Sequence, residues 1–454
     1  MTFTQPVFPL FLLLVLLGLR LLPPQRKWQL LLPASWLFYA WYSLPLLGLL
    51  GLATAVSFVC GVLMEKKEKS RRGWFLLGCI SLLGILFVFK YLDFAALGIA
   101  SLLRLAGAPN DFRGFGLILP MGISFYVFQT LSYLIDVYRR EIPAERHFAV
   151  YALFVSFVPQ LVAGPIERPA DLLPQLRCPG KPMTAEGLRL LLRGYAKKVV
   201  IADTVAVLVD NAYAQGTAAG GLALTAATAL FALQIYCDFS GYTDIARGCG
   251  ALMGIRLSEN FRRPYGAVTV QEFWRRWHIS LTRWFRDYVY IPLGGSRRGR
   301  ACTVRNILIV FLLSGLWHGA DVKFLIWGGL HGLYLCLELW LKPRRFPLRR
   351  ALTLLLVGIA WVFFRAASPV AALAMMKTIC TDPAPLGLFS GLGISAPQAL
   401  MVLGILPLLQ VVEKLPPLSE KHRLRYLVLI LLIFFCRMQL LTQGGSDAFI
   451  YFQF

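Results

Sequence analysis

Apolar runs close to the length of a bilayer crossing follow one another along almost the whole sequence. They fall at 28–43, 45–64, 74–91, 93–106, 116–138 and 148–163, then at 221–239, 307–317, 322–341, 350–364, 394–412 and 425–441. One helical span takes about 20 apolar residues. With 57% of 454 residues hydrophobic, there is material for about ten spans with loops left over. The expected fold is therefore all-α: a polytopic integral membrane protein of about ten or more transmembrane helices. Several runs are shorter than a bilayer is thick and are expected to tilt, pair or re-enter. The sequence carries no recognisable soluble domain, low-complexity tract or internal repeat, so residues 1–454 read as a single integral membrane domain.

Charge supports the same class. Only 15% of residues are charged, against about a quarter in soluble domains, and hydrophobicity this high excludes a disordered chain. The 46 Lys and Arg exceed the 23 Asp and Glu, a surplus of +23. No nucleic-acid partner is expected, because DNA-binding domains do not fold around this much apolar sequence. The surplus reads first as cytoplasmic loop charge. At the N-terminus Arg20, Arg26 and Lys27 follow the apolar core, the reverse of a cleavable signal, which predicts a retained first span running from outside to inside. Residues 28–43 and 45–64 then read as a helical hairpin, broken around Ser43, Leu44 and Pro45. It ends at EKKEKSRR (65–72) with five basic and two acidic residues, so this loop is expected in the cytoplasm.

Nine cysteines, an odd number without a CxxC pair, argue against a disulfide framework or zinc site. Five histidines include no HxxxH pair, so no metal is expected. His147 and His422 lie in charged loops and read as solvated.

Two long basic connections, 164–200 and 255–306, hold unusual clusters. The richest is FWRRWHISLTRWFRDYVYIPLGG (273–295). On one continuous helix Trp274, Trp277, Leu281, Trp284, Phe285 and Tyr288 fall within a sector of roughly 100°, opposite Arg276, Arg283 and Arg286. That is the pattern of a basic amphipathic helix at the membrane interface, with His278 at the edge of the aromatic sector. The bland alternative is an interfacial anchor with an incidental histidine.

In SGLWHGA (314–320) His318 follows an almost uncharged run. A histidine inside a membrane segment is costly unless paired and is a functional candidate by default. Its ordinary pKa of about 6.5 suits acid–base work; the alternative is a structural histidine bonded to a nearby carbonyl. Gly315 and Gly319 would permit close approach of a helix or a substrate chain. His331, 13 residues on, would point about 220° away on a shared helix, and reads as a packing or hydrogen-bonding residue. In QIYCDFSGYTDIA (234–246) and ENFRRPYG (259–266), Asp238, Asp244 and Asn260 could orient a histidine. Helix capping and ion pairing with Arg262 or Arg263 explain them equally well. Gly164-Pro165 breaks a span and places Glu167 and Arg168 at its mouth. There is no GxSxG elbow, phosphate-binding GxxxxGK[ST] loop, or pair of matched broken helices.

Together these clusters resemble the membrane-bound O-acyltransferase family, especially its bacterial branch that O-acetylates exopolysaccharides such as alginate. The likeness is carried in order by LPMGISFYVFQTLSYLIDVYR (119–139), FVPQLVAGPIER (157–168), QIYCDFSGYTDIARG (234–248), NFRRPY (260–265), FWRRWHISLTRWFRDYVYIPLGG (273–295) and LWHGA (316–320), with FIYFQF (449–454) at the end. It covers nearly the whole chain and is densest over 119–332. The resemblance implies membrane and amphipathic helices around a central funnel, in a bacterial inner membrane. It implies His318 as the principal catalytic residue and His278 as the second. Asp238, Asn260, Trp274 and Trp317 are the candidate supporting residues. No bound cofactor is expected. Acetyl-CoA is the expected acyl donor, a polysaccharide hydroxyl the acceptor, and an extracytoplasmic partner protein is expected to complete delivery. D-alanyl transfer to teichoic acid and peptidoglycan O-acetylation are enzyme alternatives; a transporter or scaffold of an exopolysaccharide complex is the alternative from another class.

Overall fold

The computed structural model describes residues 1–107, 111–161, 164–341, 348–382 and 388–442, and these contain helices and no β-strand. The terminal FIYFQF run lies outside the described residues. Among the described residues, five helical stretches are long and apolar enough to cross a membrane: Leu44–Lys66, Glu68–Leu105, Gly221–Met253, Gly299–His318 and Val322–Leu341. Ile80 is 67% exposed on one of them. Such a surface would be a liability in water and suits hydrocarbon.

The chain divides into two compact units, one of residues 1–184 with 249–258, the other of 185–248 with 259–454. The first unit begins with α1 (Val7–Arg20), α2 (Trp28–Ala40) and α3 (Leu44–Lys66), the last two forming the hairpin expected around Ser43–Pro45. Residues 74–91 and 93–106, expected as separate segments, belong to one continuous helix: α4 (Arg71–Leu86), a π-turn (Phe87–Tyr91) and α5 (Leu92–Leu105). Asp93 lies inside it, and its carboxylate accepts the Phe115 N–H at 2.7 Å. The 116–138 run turns helical only at α6 (Ile123–Tyr138). Gly122 before it has φ 73°, and a Cβ there would lie 2.4 Å from the Leu161 carbonyl oxygen. The 148–163 run gives α7 (Phe148–Ser156) and the short α8 (Val158–Leu161), and α9 (Pro169–Arg177) follows.

Two sequence expectations change here. His147 is exposed, but it is no idle solvated residue: its Nδ1 accepts the Val150 N–H at 3.3 Å as the cap of α7, and its ring packs on Trp28. Glu167 is buried, and its carboxylate accepts the N–H of Ser258 at 2.5 Å and the hydroxyl at 2.9 Å. It staples the loop at 258.

The second unit contains α10 (Thr184–Tyr195), a π-turn (Ala196–Ala202), α11 (Asp203–Gln215) and the 33-residue α12 (Gly221–Met253), whose last turn falls in the first unit. The short α13 (Val270–Arg276) and α14 (Ile279–Phe285) precede α15 (Gly299–His318), α16 (Val322–Leu341), α17 (Arg349–Arg365), α18 (Pro369–Thr381), α19 (Leu388–Leu392), α20 (Ala396–Glu413) and α21 (Arg423–Thr442). Helix α12 runs well past the apolar stretch 221–239, through Asp238 and Asp244. Those carboxylates stay inside it because cations from 193–198 neutralise them.

Candidate active site

The buried acids of α12 are paired with residues that the sequence reading did not single out. Asp238 Oδ1 lies 2.5 Å from Lys198 Nζ, and Lys198 is also 2.8 Å from Asp203. Asp244 takes Arg193 at 2.8 and 2.5 Å and Lys197 at 3.0 Å. The expected partners Arg262 and Arg263 instead meet Glu259 and Glu413. Burial opposes charge on Lys198, but Asp238 and Asp203 outweigh it and raise its pKa, so the ammonium persists. These pairs tie the 193–203 segment to α12. The usable sequence signal was the doubled lysine in AKKVVIA, charge inside an apolar run.

The 273–295 segment is not the single amphipathic helix that its spacing suggests. It breaks at His278, a left-handed residue with φ 42° and ψ 55°, which separates α13 from α14. The break is held from outside the segment: the Asn260 carbonyl accepts the Ile279 N–H at 3.0 Å, and Asn260 Oδ1 accepts the Ser280 N–H at 3.2 Å. Asn260 thereby supplies acceptors for the start of α14, where no preceding turn exists to do so. All the aromatic side chains of the segment except the half-buried Tyr290 are buried in protein rather than laid in the interface; Trp277 is 1% exposed and Trp284 6%.

His278 is fully buried, edge-on to Phe239 with ring centroids 4.7 Å apart, and its ring also meets Trp317 at 5.9 Å. Burial pushes its pKa down to about 3, so the imidazole is neutral at ordinary pH. His318 ends α15. Its ring packs against Trp317 at 5.0 Å, Trp327 at 4.9 Å and Phe364 at 5.7 Å. Trp317 therefore touches both motif histidines.

Because the chain turns after Gly319, His318 and His331 stand on different helices, and the shared-helix separation does not apply. Both rings contact Trp327, at 4.9 and 5.1 Å. His331 Nδ1 accepts the Trp274 Nε1–H at 3.3 Å, which places the proton of the neutral ring on Nε2. Trp274 thus supports His331, and Trp317 is the tryptophan that bridges the other two. The helices α15 and α16 meet backbone to backbone: a Cβ on Gly315 would lie 2.2 Å from the Phe324 carbonyl oxygen, and one on Gly328 2.2 Å from that of Phe311.

Asn260 also lines a cavity of about 320 Å³ with Arg193, Lys197, Arg247, Arg262 and Arg263. Asp244, Glu259 and Glu413 offset part of that charge, leaving a cationic pocket beside the clamp that holds His278. Two buried imidazoles, His278 and His318, thus meet one tryptophan, and a cationic cavity lies beside the residue that holds the bend at His278.

Residues 138–376 match the model of MBOAT, the membrane-bound O-acyltransferase family. A probable alginate O-acetylase of Pseudomonas putida is 42% identical over 377 residues, covering 81% of this chain and 77% of the relative. A peptidoglycan O-acetyltransferase of Helicobacter pylori is 35% identical over 383 residues, covering 76% and 72%. A teichoic acid D-alanyltransferase of Bacillus subtilis is 27% identical over 270 residues, covering 54% and 66%. The chain is an O-acyltransferase of the membrane-bound O-acyltransferase family.

Proposed function

We propose that this chain transfers an acetyl group from acetyl-CoA at the cytoplasmic face toward hydroxyls of an extracytoplasmic polysaccharide such as alginate, in a bacterial inner membrane. The observation that carries the reading is the convergence of His278 and His318 on the Trp317 ring, in one buried aromatic cluster. The choice of polymer is supported by the identity shared with the alginate O-acetylases, 42% against 27% for the D-alanyltransferase. The cationic cavity beside Asn260 supports a phosphate-bearing donor.

In this mechanism His318 acts as general base and takes the proton of an acceptor hydroxyl. The oxygen attacks the thioester carbonyl, forming the C–O bond. The tetrahedral intermediate expels the CoA thiolate as the C–S bond breaks, and the thiolate recovers the proton from His318. His278 positions the donor or stabilises the oxyanion. The aromatic walls exclude water and so limit thioester hydrolysis. The acceptor hydroxyl belongs to the polymer or to an extracytoplasmic partner protein that completes delivery.

The test uses membranes from polymer-producing cells that carry the full chain, supplied with radiolabelled acetyl-CoA. Label enters the polymer with the wild-type chain and not with His318→Ala, which inserts into the membrane at normal levels. Normal acetylation by His318→Ala overturns the catalytic assignment. Transfer from a D-alanyl carrier protein in place of acetyl-CoA overturns the donor, and label recovered in peptidoglycan overturns the acceptor.

A further inference from the structure

A larger cavity of about 920 Å³ lies elsewhere in the second unit and plays no part in the mechanism above. One wall is apolar and comes from the two membrane-crossing helices: Ile307, Val310 and Phe311 on α15, Leu335 and Leu339 on α16. The 269–296 segment supplies the rest of the lining, including Arg275, Arg283 and Arg286 beside the apolar Trp274 and Ile279. Arg275 is exposed and, among the described residues, makes no ion pair. Arg286 pairs with its neighbour Asp287 at 2.7 Å. The one carboxylate in the lining, Glu338, is already engaged: it bonds Arg349 at 3.3 Å and accepts the N–H groups of Val270 and Gln271 at 2.9 and 3.0 Å. The lining therefore combines more cations than carboxylates with apolar side chains of α15 and α16.

From this pairing of charge and apolar wall we infer that the groove binds an anionic phospholipid, with its phosphate on Arg275, Arg283 and Arg286 and an acyl chain along α15 and α16. Basic pockets between membrane helices are built to hold anionic headgroups. A soluble anion would leave the apolar wall unused, whereas a lipid satisfies both sides. The occupant would lie on Trp274 and Ile279, the partner of His331 and the residue that follows His278. Lipid binding would thus add a second brace to the bend that carries His278, beside the Asn260 clamp.

Native mass spectrometry of the purified full-length protein tests the inference, with phosphatidylglycerol and phosphatidylcholine of matched chains as probes. Phosphatidylglycerol binds more tightly to the wild-type protein. The Arg275→Gln/Arg283→Gln variant loses about tenfold or more in that affinity, from about 1 kcal/mol per cation, while phosphatidylcholine binding is unchanged. Equal affinity for both lipids, or undiminished phosphatidylglycerol binding by the variant, overturns the inference. Displacement of the lipid by millimolar inorganic phosphate also overturns it, because the site then reads phosphate alone. Should the variant fail to fold, a photoactivatable phosphatidylglycerol on the wild-type protein serves instead. Crosslinks mapped to 269–296, 307–311 and 335–339 support the groove, and crosslinks confined elsewhere overturn it.

Discussion

Asn260 Oδ1 accepts the backbone N–H of Ser280 at 3.2 Å, across 20 residues of chain. With the Asn260 carbonyl taking the adjacent Ile279 N–H, this bond fixes the first turn of α14 and, one residue earlier, the left-handed backbone of His278. Such a conformation costs a non-glycine residue about 1–2 kcal/mol and persists only where the surroundings impose it.

Asn260→Ala should remove the side-chain half of the clamp, at about 1–2 kcal/mol of local stability. Acetyl transfer is expected to fall about 10- to 100-fold, since small misplacements of a reacting group carry penalties of that order. Asn260→Asp keeps the acceptor and should recover a measurable part of the rate. If the Asp and Ala variants are equally slow while both are properly inserted, Asn260 is not a positioning residue through this bond.

The pH dependence of stability follows from His278. Its folded pKa, pushed down to about 3 by burial, lies below the unfolded value of about 6.5. Between these values the unfolded chain binds the proton and the folded chain does not, so stability falls as pH drops below about 6.5 and the loss levels off near 3. One such group contributes about 1.4 kcal/mol per pH unit. Thermal unfolding of the detergent-solubilised protein at pH 7.5 and 5.0 should show a larger loss of Tm for the wild type than for His278→Gln. Equal losses would contradict a buried neutral imidazole.

Lys198 sits between two carboxylates, Asp238 at 2.5 Å and Asp203 at 2.8 Å. Removing one partner of a buried pair costs about 3–5 kcal/mol, because it strands the other charge. Lys198→Met strands both acids, whereas Asp238→Asn leaves the ammonium with Asp203. The Lys variant should therefore be the less stable of the two, measured as yield of monodisperse protein and as Tm. The reverse order would show that the pair does not act as a triad centred on Lys198.

Much of the fold could be read from the sequence because hydropathy acts over single segments: the hairpin around Ser43–Pro45 and the run at 322–341 need only local information. The site was less legible, because its geometry is set by partners distant in sequence. The wheel over 273–295 placed the tryptophans on one face, but it could not include the Asn260 acceptors that break the helix at His278. The separation of His318 and His331 assumed one helix, and the turn after Gly319 brings both onto Trp327. Asp238 and Asn260 were recognised as supporting candidates, while Lys198 passed as loop charge. Its place in the apolar run AKKVVIA marks it as unusual, but its contacts with Asp238 and Asp203 need the fold.

The basic loop 65–72 offers a topological test. Arg71 donates to the carbonyls of Val137 and Tyr138 at 2.7 and 2.9 Å, and Glu68 and Glu65 pair with Arg140 and Arg146. Residues 65–72 and 137–146 must then share one side of the membrane, and the positive-inside bias predicts the cytoplasmic side. Protease sites inserted after Lys69 and, separately, after Glu141 should both be cut in inverted vesicles and resist cleavage in intact spheroplasts. Cleavage of the two sites from opposite sides would break the packing, and cleavage of both from outside would reverse the orientation.

The position of His318 depends on how closely α15 and α16 approach. A Cβ at Gly315 or Gly328 would come within 2.2 Å of a carbonyl oxygen on the facing helix, so the backbones must separate, and overpacking of this kind costs about 1–3 kcal/mol. Gly329 faces open space, its nearest neighbour being Leu312 Cδ2 at 3.8 Å. All three glycines lie within helices, where alanine is intrinsically favoured by up to about 1 kcal/mol. Propensity alone would therefore make all three alanine variants at least as stable as the wild type. Close approach predicts instead that Gly315→Ala and Gly328→Ala lose stability and acetyl transfer together, because His318 ends α15 and rests on Trp327 of α16. Gly329→Ala should keep both. Acetylation assays and Tm on the three variants separate these outcomes, and undiminished transfer by Gly315→Ala and Gly328→Ala would mean that the hairpin contact does not set the place of His318.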